Sequence, residues 1–489
     1  MNADLRGRAY SPHSPYSRGR LWLAGLPLLL ASFGALAGDL LEVYHQAQAR
    51  DPAYSGAVNA LRAARERVPQ ARAGLLPAVS LMGATSQQSG QASFSEAPYV
   101  GRNVRNRSWN LQLTQPLWRA TSWAALDQAG QQEMLAEAQF RQAEQELILR
   151  TAQAYLDVLV AQEAERVARL QVGAVTQQLE LARRNFEVGT GIVTDVHEAQ
   201  SRLDLSRSQA VAAGGELKNK RAELVRIIGE SRAQFPAGPP QGKLAPSGGR
   251  EAHAVASVGA YPLARLRADS RLPGIQLDGE QAWLDSAREQ SIQVRIAQAT
   301  LEVADREIAK GRAAHSPTLD LTAGYGSNYS SGSITSPADI SVRSRSGQVG
   351  LNLNIPLFAG GGVQARVREA LALRDKVSDD LEAARRQAVT QASQAFTGVV
   401  SGAAQVEALA SAIASSKSAV DSNKIGFRVG SRINIDVLNA EQQLYTAQRD
   451  WHKARAETLM QGLRLKAANA TLAEADLNAI NDLLETGQP

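Results

Sequence analysis

Arg72-Ala73-Gly74-Leu75-Leu76-Pro77-Ala78-Val79-Ser80-Leu81 returns as Arg312-Ala313-Ala314-His315-Ser316-Pro317-Thr318-Leu319-Asp320-Leu321, 240 residues further along the chain. The same spacing relates Leu111-Gln112-Leu113-Thr114-Gln115-Pro116-Leu117-Trp118 to Leu351-Asn352-Leu353-Asn354-Ile355-Pro356-Leu357-Phe358. A third segment, Phe186-Glu187-Val188-Gly189-Thr190-Gly191-Ile192-Val193-Thr194-Asp195-Val196, meets Phe427-Arg428-Val429-Gly430-Ser431-Arg432-Ile433-Asn434-Ile435-Asp436-Val437 at a spacing of 241. Three collinear matches mark an internal duplication in two copies, 38–229 and 280–470, and not a solenoid of many short repeats. Between them, residues 230–279 carry Pro236, Pro239, Pro240, Gly248 and Gly249 and read as a connector. Residues 471–489 form a C-terminal tail.

Each copy predicts the same order: helix, strand pair, very long helix, tight turn, helix. The strands are expected at 77–90 and 107–118, and again at 317–330 and 346–357, because apolar and polar residues alternate there with period two. Trp109, Leu111 and Leu113 enclose Asn110 and Gln112, and Val349, Leu351 and Leu353 do the same around Gly350 and Asn352. One apolar and one polar face fits a barrel with lipid outside and water inside. A sandwich with one wet face alternates in the same way, so alternation leaves both open. The intervening segments 91–106 and 331–345 are rich in Ser, Gly, Asn and Arg and read as loops. Four strands cannot close a transmembrane channel alone, so several chains must share one barrel, as a dimer, trimer or tetramer.

The long helices are expected at 124–188 and 363–428, followed by shorter ones at 192–229 and 433–470. Residues 124–188 hold no proline and consist largely of Ala, Gln, Glu, Arg and Leu, all good helix formers. A helix of that length reaches roughly 100 Å, wider than any compact domain. Pro116 and Pro356 mark the passage from strand to helix. Gly189, Gly191 and Gly430 mark the turns that join long helix to short. Gly360-Gly361-Gly362 lacks the Lys and Ser/Thr of a phosphate loop and reads as a hinge.

At the start of the chain, Arg18 and Arg20 precede an apolar run that closes on Ala35-Leu36-Ala37, a signal-peptide pattern over 1–37 with cleavage expected after Ala37. The remaining chain would hold 49 basic and 47 acidic residues, so the apparent basicity disappears and nucleic acid is not an expected partner. There is no cysteine, hence no disulfide framework and no acylated N-terminal cysteine. No run of 18 apolar residues follows Ala37, which argues against a helical membrane span and leaves a β-barrel.

No nucleophile and base, no H-x-x-x-H or H-E-x-x-H spacing and no cofactor motif is found. Neither an enzyme, a metal site nor a cofactor is expected. A periplasmic adaptor also has long helical hairpins, but it needs no duplicated strand pairs with an apolar face.

The duplicated order, together with the segment Phe427 to Ala440, resembles the TolC family of outer-membrane export ducts over essentially the whole chain after residue 37. The tail Leu472-Ala473-Glu474-Ala475-Asp476-Leu477-Asn478-Ala479-Ile480 and the missing cysteine resemble its non-acylated branch. The resemblance implies a membrane α+β fold, with four strands per chain contributing to an oligomeric barrel that continues as a periplasmic α-helical barrel. The connector and tail would form an equatorial region. It implies a homotrimer in the outer membrane, in contact with outer-membrane lipid, and a tip opened by a periplasmic adaptor (membrane fusion) protein and an inner-membrane ABC or proton-driven pump.

The family's tip is held shut by links between hairpins and lined by carboxylates. Carried over by position, Arg432 would bond Asp195 of a neighbouring hairpin and Asp436 would supply a lumen ring. Phe427 stands where the family has a tyrosine, and Asn439 where it has a second acid, so a weaker latch and a weaker cation site are expected. Asp195 and Asp436 also fall in the first turn of a helix, where a carboxylate is favoured by the dipole alone. Cargo is open between proteins passed by type I secretion and drugs or metals passed by an efflux pump; the tail tilts toward proteins.

Overall fold

The computed structural model describes residues 39–95, 97–229 and 279–484, with 263, 266 and 267 of the connector. The expected signal peptide, most of the connector and the end of the tail lie outside the described residues. Within the first copy the elements are α1 (Leu40–Arg50), α2 (Pro52–Arg65), α3 (Arg67–Ala73), β1 (Ala78–Ala92), β2 (Val100–Arg119), α4 (Ala120–Glu187) and α5 (Val193–Ile228). After the connector come α6 (Glu280–Gln290), α7 (Ile292–Ala313), β3 (Thr318–Ser330), β4 (Val342–Asn354), α8 (Gly362–Arg428), α9 (Asn434–Ala468) and α10 (Glu474–Asn481).

The four strands form one antiparallel sheet in the order β1-β2-β3-β4. Register sorts its side chains into two faces, since cross-strand partners share a face. One face carries Val79, Leu113, Leu111, Tyr325, Leu321 and Leu351; the other carries Ser80, Gln112, Asn110, Thr322, Asn352 and Gln348. On the apolar face Trp109 and Tyr325 meet edge to face, with ring centroids 5.7 Å apart. β1 and β4 each leave one edge unpaired among the described residues.

Two strand boundaries differ from the alternation. β2 begins at Val100, not 107, and the loops expected at 91–106 and 331–345 contract to 93–99 and 331–341. Beyond Ser108 most positions of the first hairpin are polar, as in the pairs Gln87 with Arg105 and Ser86 with Asn106 on its two faces, so composition mimics a loop while the ladder continues. β4 spans 342–354, ending before Pro356, which has no N–H to donate to a ladder.

Each strand is continued by a helix. Arg119 ends β2 and Ala120 opens α4, which then runs 68 residues, about 100 Å at the α-helical rise. Side by side, α2 and α3 pack on α4, α4 on α7, and α7 on α8; away from the sheet, α5 folds back along α4 and α9 along α8. The C-terminus of α9 and the N-terminus of α7 meet between α4 and α8 and leave a half-open cavity of about 420 Å³ lined by Gln145, Gln391 and Ala468. The first helix of each copy is broken: Asp51 caps α2 through the Ala53 N–H at 2.8 Å and pairs with Arg150, and Ser291 occupies the equivalent break.

The largest apolar core lies midway along the helices, where Leu40, Val43, Leu147, Tyr155, Leu156, Leu224, Ile228, Leu463 and Leu477 bring α1, α4, α5, α9 and α10 together. A connector bridge joins Leu266 to Leu484 there. By length and composition alone α8 is apolar enough to cross a membrane, with an 18-residue window of mean hydropathy 1.3. Alanine and valine raise the average, although polar residues interrupt every apolar run.

Candidate functional site

The two turns that end α4 and α8 are built alike. Gly189 and Gly430 adopt φ of +76° and +77°, in the left-handed region that side chains with a Cβ avoid. In the first turn Thr190 and Gly191 N–H groups donate to the Asn185 carbonyl at 2.8 and 2.9 Å; in the second, Ser431 and Arg432 donate to the Gly426 carbonyl at 2.9 and 3.2 Å. Both turns expose apolar side chains, Val188 and Ile192 in one, Val429 and Ile433 in the other.

Two of the differences between the turns are coupled in space. Gly191 has Arg432 as its counterpart, and Asn185 has Gly426. A β-carbon on Gly426 would come within 2.7 Å of the Arg432 Cγ. Gly426 thus clears the space that the Arg432 stem occupies.

Asp195 and Asp436 stand in the first turns of α5 and α9. Arg432 Nη1, in the turn, lies 3.7 Å from Asp436 Oδ2 of the same hairpin and makes no ion pair with Asp195 among the described residues. An exposed pair of this spacing contributes about 0.3–0.5 kcal/mol. Phe427 is half-buried, and Asn439 accepts a hydrogen bond from Arg202 Nη2 at 3.0 Å. This contact links α5 of one hairpin to α9 of the other.

Further links join the hairpins. Gln178 of α4 donates to Asn434 of α9, both buried, and Gln171 Nε2 reaches Gln442 Oε1 at 2.5 Å. Lys424 Nζ pairs with buried Glu441 at 2.7 Å within the second hairpin. These polar residues border a small apolar cluster of Val175, Leu179, Ala199, Leu203 and Leu438. The sequence did carry a signal for Asn434: it is a buried amide where the first copy has Val193.

At the other end of the helices, Pro116 lies inside β2 at a register shift, and Pro356 in the irregular passage from β4 to α8. Just past the shift, Arg119 grips Asp320 of β3 with two bonds of 3.1 and 2.8 Å. Nearer the middle, His452 is half-buried beside Glu163, 3.7 Å away, and desolvation lowers its pKa while Glu163 opposes the shift. Among the described residues no group of three or more His, Cys, Asp or Glu is placed to hold a metal ion.

A sheet with one lipid-compatible face, continued by helices far longer than a compact domain needs, defines a channel-forming protein of the outer membrane. The sequence matches the outer membrane efflux protein family over residues 43–230 and 283–471, and the chain belongs to that family. It is 30% identical to outer membrane protein TolC of Vibrio cholerae over 464 residues, covering 93% of this chain and 97% of that one. It is 29% identical to the alkaline protease secretion protein AprF of Pseudomonas aeruginosa, covering 94% and 90%. The solved structure of VceC from Vibrio cholerae superimposes with a TM-score of 0.68 at 15% identity, covering 88% and 95%, a likeness of fold. The chain is an outer-membrane duct for secretion or efflux that extends into the periplasm. Its relatives are channel proteins.

Proposed function

We propose that three copies of this chain close one barrel and that their helices continue it as a tunnel, forming the outer-membrane part of a tripartite export machine without enzymatic activity. The observation that carries this reading is the single four-stranded sheet with one apolar face, one polar face and two unpaired edges. Pairing β1 of one copy with β4 of the next satisfies the edges and puts the apolar face in lipid. The two repeats, 38–229 and 280–470, each supply two strands and one helical hairpin, with the connector and tail between barrel and tip.

The gate lies at the turns. Arg432, released from its weak pair with Asp436, bonds Asp195 of a neighbouring hairpin, and Phe427 packs beside it without the hydroxyl that would strengthen the link. Asp436 forms the ring that narrows the lumen, and Asn439, already engaged by Arg202, adds no charge to it. A periplasmic adaptor protein and an inner-membrane ABC or proton-driven pump open this end. Protein cargo is favoured by the likeness to a protein named for protease secretion; efflux of small molecules is the second reading, favoured by the family as a whole.

Membrane fractionation tests the core of this proposal. A heat-modifiable trimer in the outer membrane, cross-linking to an adaptor through Val188 or Val429 variants, is the expected result; a soluble periplasmic monomer overturns it.

A further inference from the structure

At the end of the sheet away from the helices, the two hairpins are unequal. β1 and β2 pair out to Ala92 and Val100, whereas β3 and β4 stop at Ser330 and Val342. The 331–341 segment that joins β3 to β4 folds onto the longer hairpin. Ser331 N–H donates to the Arg105 carbonyl at 2.9 Å and its hydroxyl accepts from the Arg105 N–H at 2.8 Å. The segment then meets Arg102, whose Nη1 donates to the Ser333 carbonyl at 2.6 Å and to that of Ser336, while Nη2 donates to the Pro337 carbonyl at 2.8 Å. The guanidinium is backed by the Phe94 ring, 4.9 Å away.

Register says which face this segment covers. Arg102 pairs with Gly90 and shares its face with Val104, Asn106, Ser108, Asn110 and Gln112, the polar face of the sheet. Ile334 lies over Gly90, so near that a β-carbon there would sit 3.6 Å from its Cδ1 and Cγ2. Val104 is 4% exposed, although Arg105 and Asn103 on either side are exposed. The segment itself is internally tied: Ser333 Oγ accepts from the Thr335 and Ser336 N–H groups at 3.2 and 3.0 Å, and Asp339 accepts from the Ser333 N–H at 3.3 Å. The second copy has Val342 where Arg102 stands in the first, so the duplication gives no equivalent clamp.

We propose that residues 331–341 are a strap across the outer mouth of the duct and that Arg102 is the residue that pins it. This rests on the reading that the polar face lines the lumen. With that face inward, each strap lies inside the rim of the barrel and narrows the opening from the cell exterior. Three neutral carbonyl acceptors hold one charged donor, so the strap is fixed by charge-assisted hydrogen bonds that the planar guanidinium spreads over three oxygens in a rigid fork.

Because the chain has no cysteine, Ser108→Cys provides a single thiol on the polar face, deeper than the strap, and Leu111→Cys one on the apolar face. Intact cells are treated from outside with a small charged maleimide and with maleimides carrying polyethylene glycol of increasing mass. The expected result is that the large reagents label Ser108→Cys slowly, and that Arg102→Ala speeds them on the order of tenfold while the small reagent is unaffected. Arg102→Lys gives an intermediate rate, and excision of residues 333–338 reproduces Arg102→Ala. Each variant is checked as a heat-stable oligomer in the outer membrane. If excision speeds large reagents and Arg102→Ala does not, the pin is overturned; if neither does, the strap is overturned. If Ser108→Cys resists even the small reagent while Leu111→Cys reacts, the lumen assignment of the proposed function fails instead.

Discussion

The two copies leave the sheet by different routes. In the first, β2 passes into α4 without an intervening residue, and Arg119 clamps the passage to Asp320 of the other copy. In the second, β4 ends at Asn354 and α8 starts only at Gly362, after Gly360 and Gly361 with φ of +60° and +77°. Position 359, the counterpart of Arg119, is alanine, and position 80, the counterpart of Asp320, is serine. The turns at the other end diverge in the same sense: the first is bare at Gly191, while the second carries Arg432 in the space left by Gly426. One unit written twice has thus become a clamped hairpin and a hinged one, and the arginine of the proposed latch sits on the hinged one while its aspartate sits on the clamped one.

Removing the clamp has the largest expected effect. Asp320 is 8% exposed, and Arg119→Ala leaves its carboxylate without its partner, which costs about 2 kcal/mol once the partial exposure of Arg119 is allowed for. Dissociation of the oligomer by heat in detergent measures this, and an unchanged midpoint means the first passage is stiffened by something else.

Next in size, Gly426→Asn gives the second turn the residue of the first and forces the Arg432 stem aside. Both Gly426→Asn and Arg432→Ser raise the frequency of open or high-conductance states in planar bilayers, by roughly fivefold for about 1 kcal/mol. Unchanged conductance in Arg432→Ser counts against the latch; a change in it alone separates the arginine from the space that holds it.

Asp195 and Asp436 are themselves counterparts, so cation block distinguishes them. Polyvalent cations are expected to block the channel, and Asp436→Ala relieves the block while Asp195→Ala leaves most of it. Persistence of block in Asp436→Ala moves the ring elsewhere.

The smallest effect concerns His452, whose counterpart in the first copy, Val211, is exposed. Burial first of all, with help from Arg166 and Arg455, holds its pKa below the ordinary value of 6.5 against the pull of Glu163. As pH falls through 6.5 the unfolded chain takes up a proton before the folded one, so stability present above that pH is lost on acidification toward the folded-state value. The melting temperature should fall by only a few degrees between neutral pH and about pH 5, and His452→Gln should flatten that dependence. An equal fall in the variant assigns the pH effect to other groups.

Most elements are legible because their periods are strong. Leu111 and Leu113 with Asn110 and Gln112 declare a two-faced strand, and an unbroken run free of proline from Ala124 declares the long helix. The upper end of β2 was missed because, outside the lipid-facing band, Arg105, Asn103 and Arg102 pair in a ladder while keeping the composition of a loop. In the candidate site, the turn glycines and first-turn carboxylates follow from local rules. The links Gln178 to Asn434 and Arg202 to Asn439 do not, because they join residues 256 and 237 positions apart.

By itself the sequence determined the duplication, the order of elements, the faces of the strands and the places of the turns, since each is set by spacing along one chain. Tertiary structure alone decided which long-range partners meet: Arg119 with Asp320, Gln171 with Gln442, Arg102 with the carbonyls of the 331–341 segment. Periodicity fixes the direction in which a side chain points, but the group it meets depends on how two helices or two hairpins align. That alignment is set by packing over the whole interface rather than by any local run of residues.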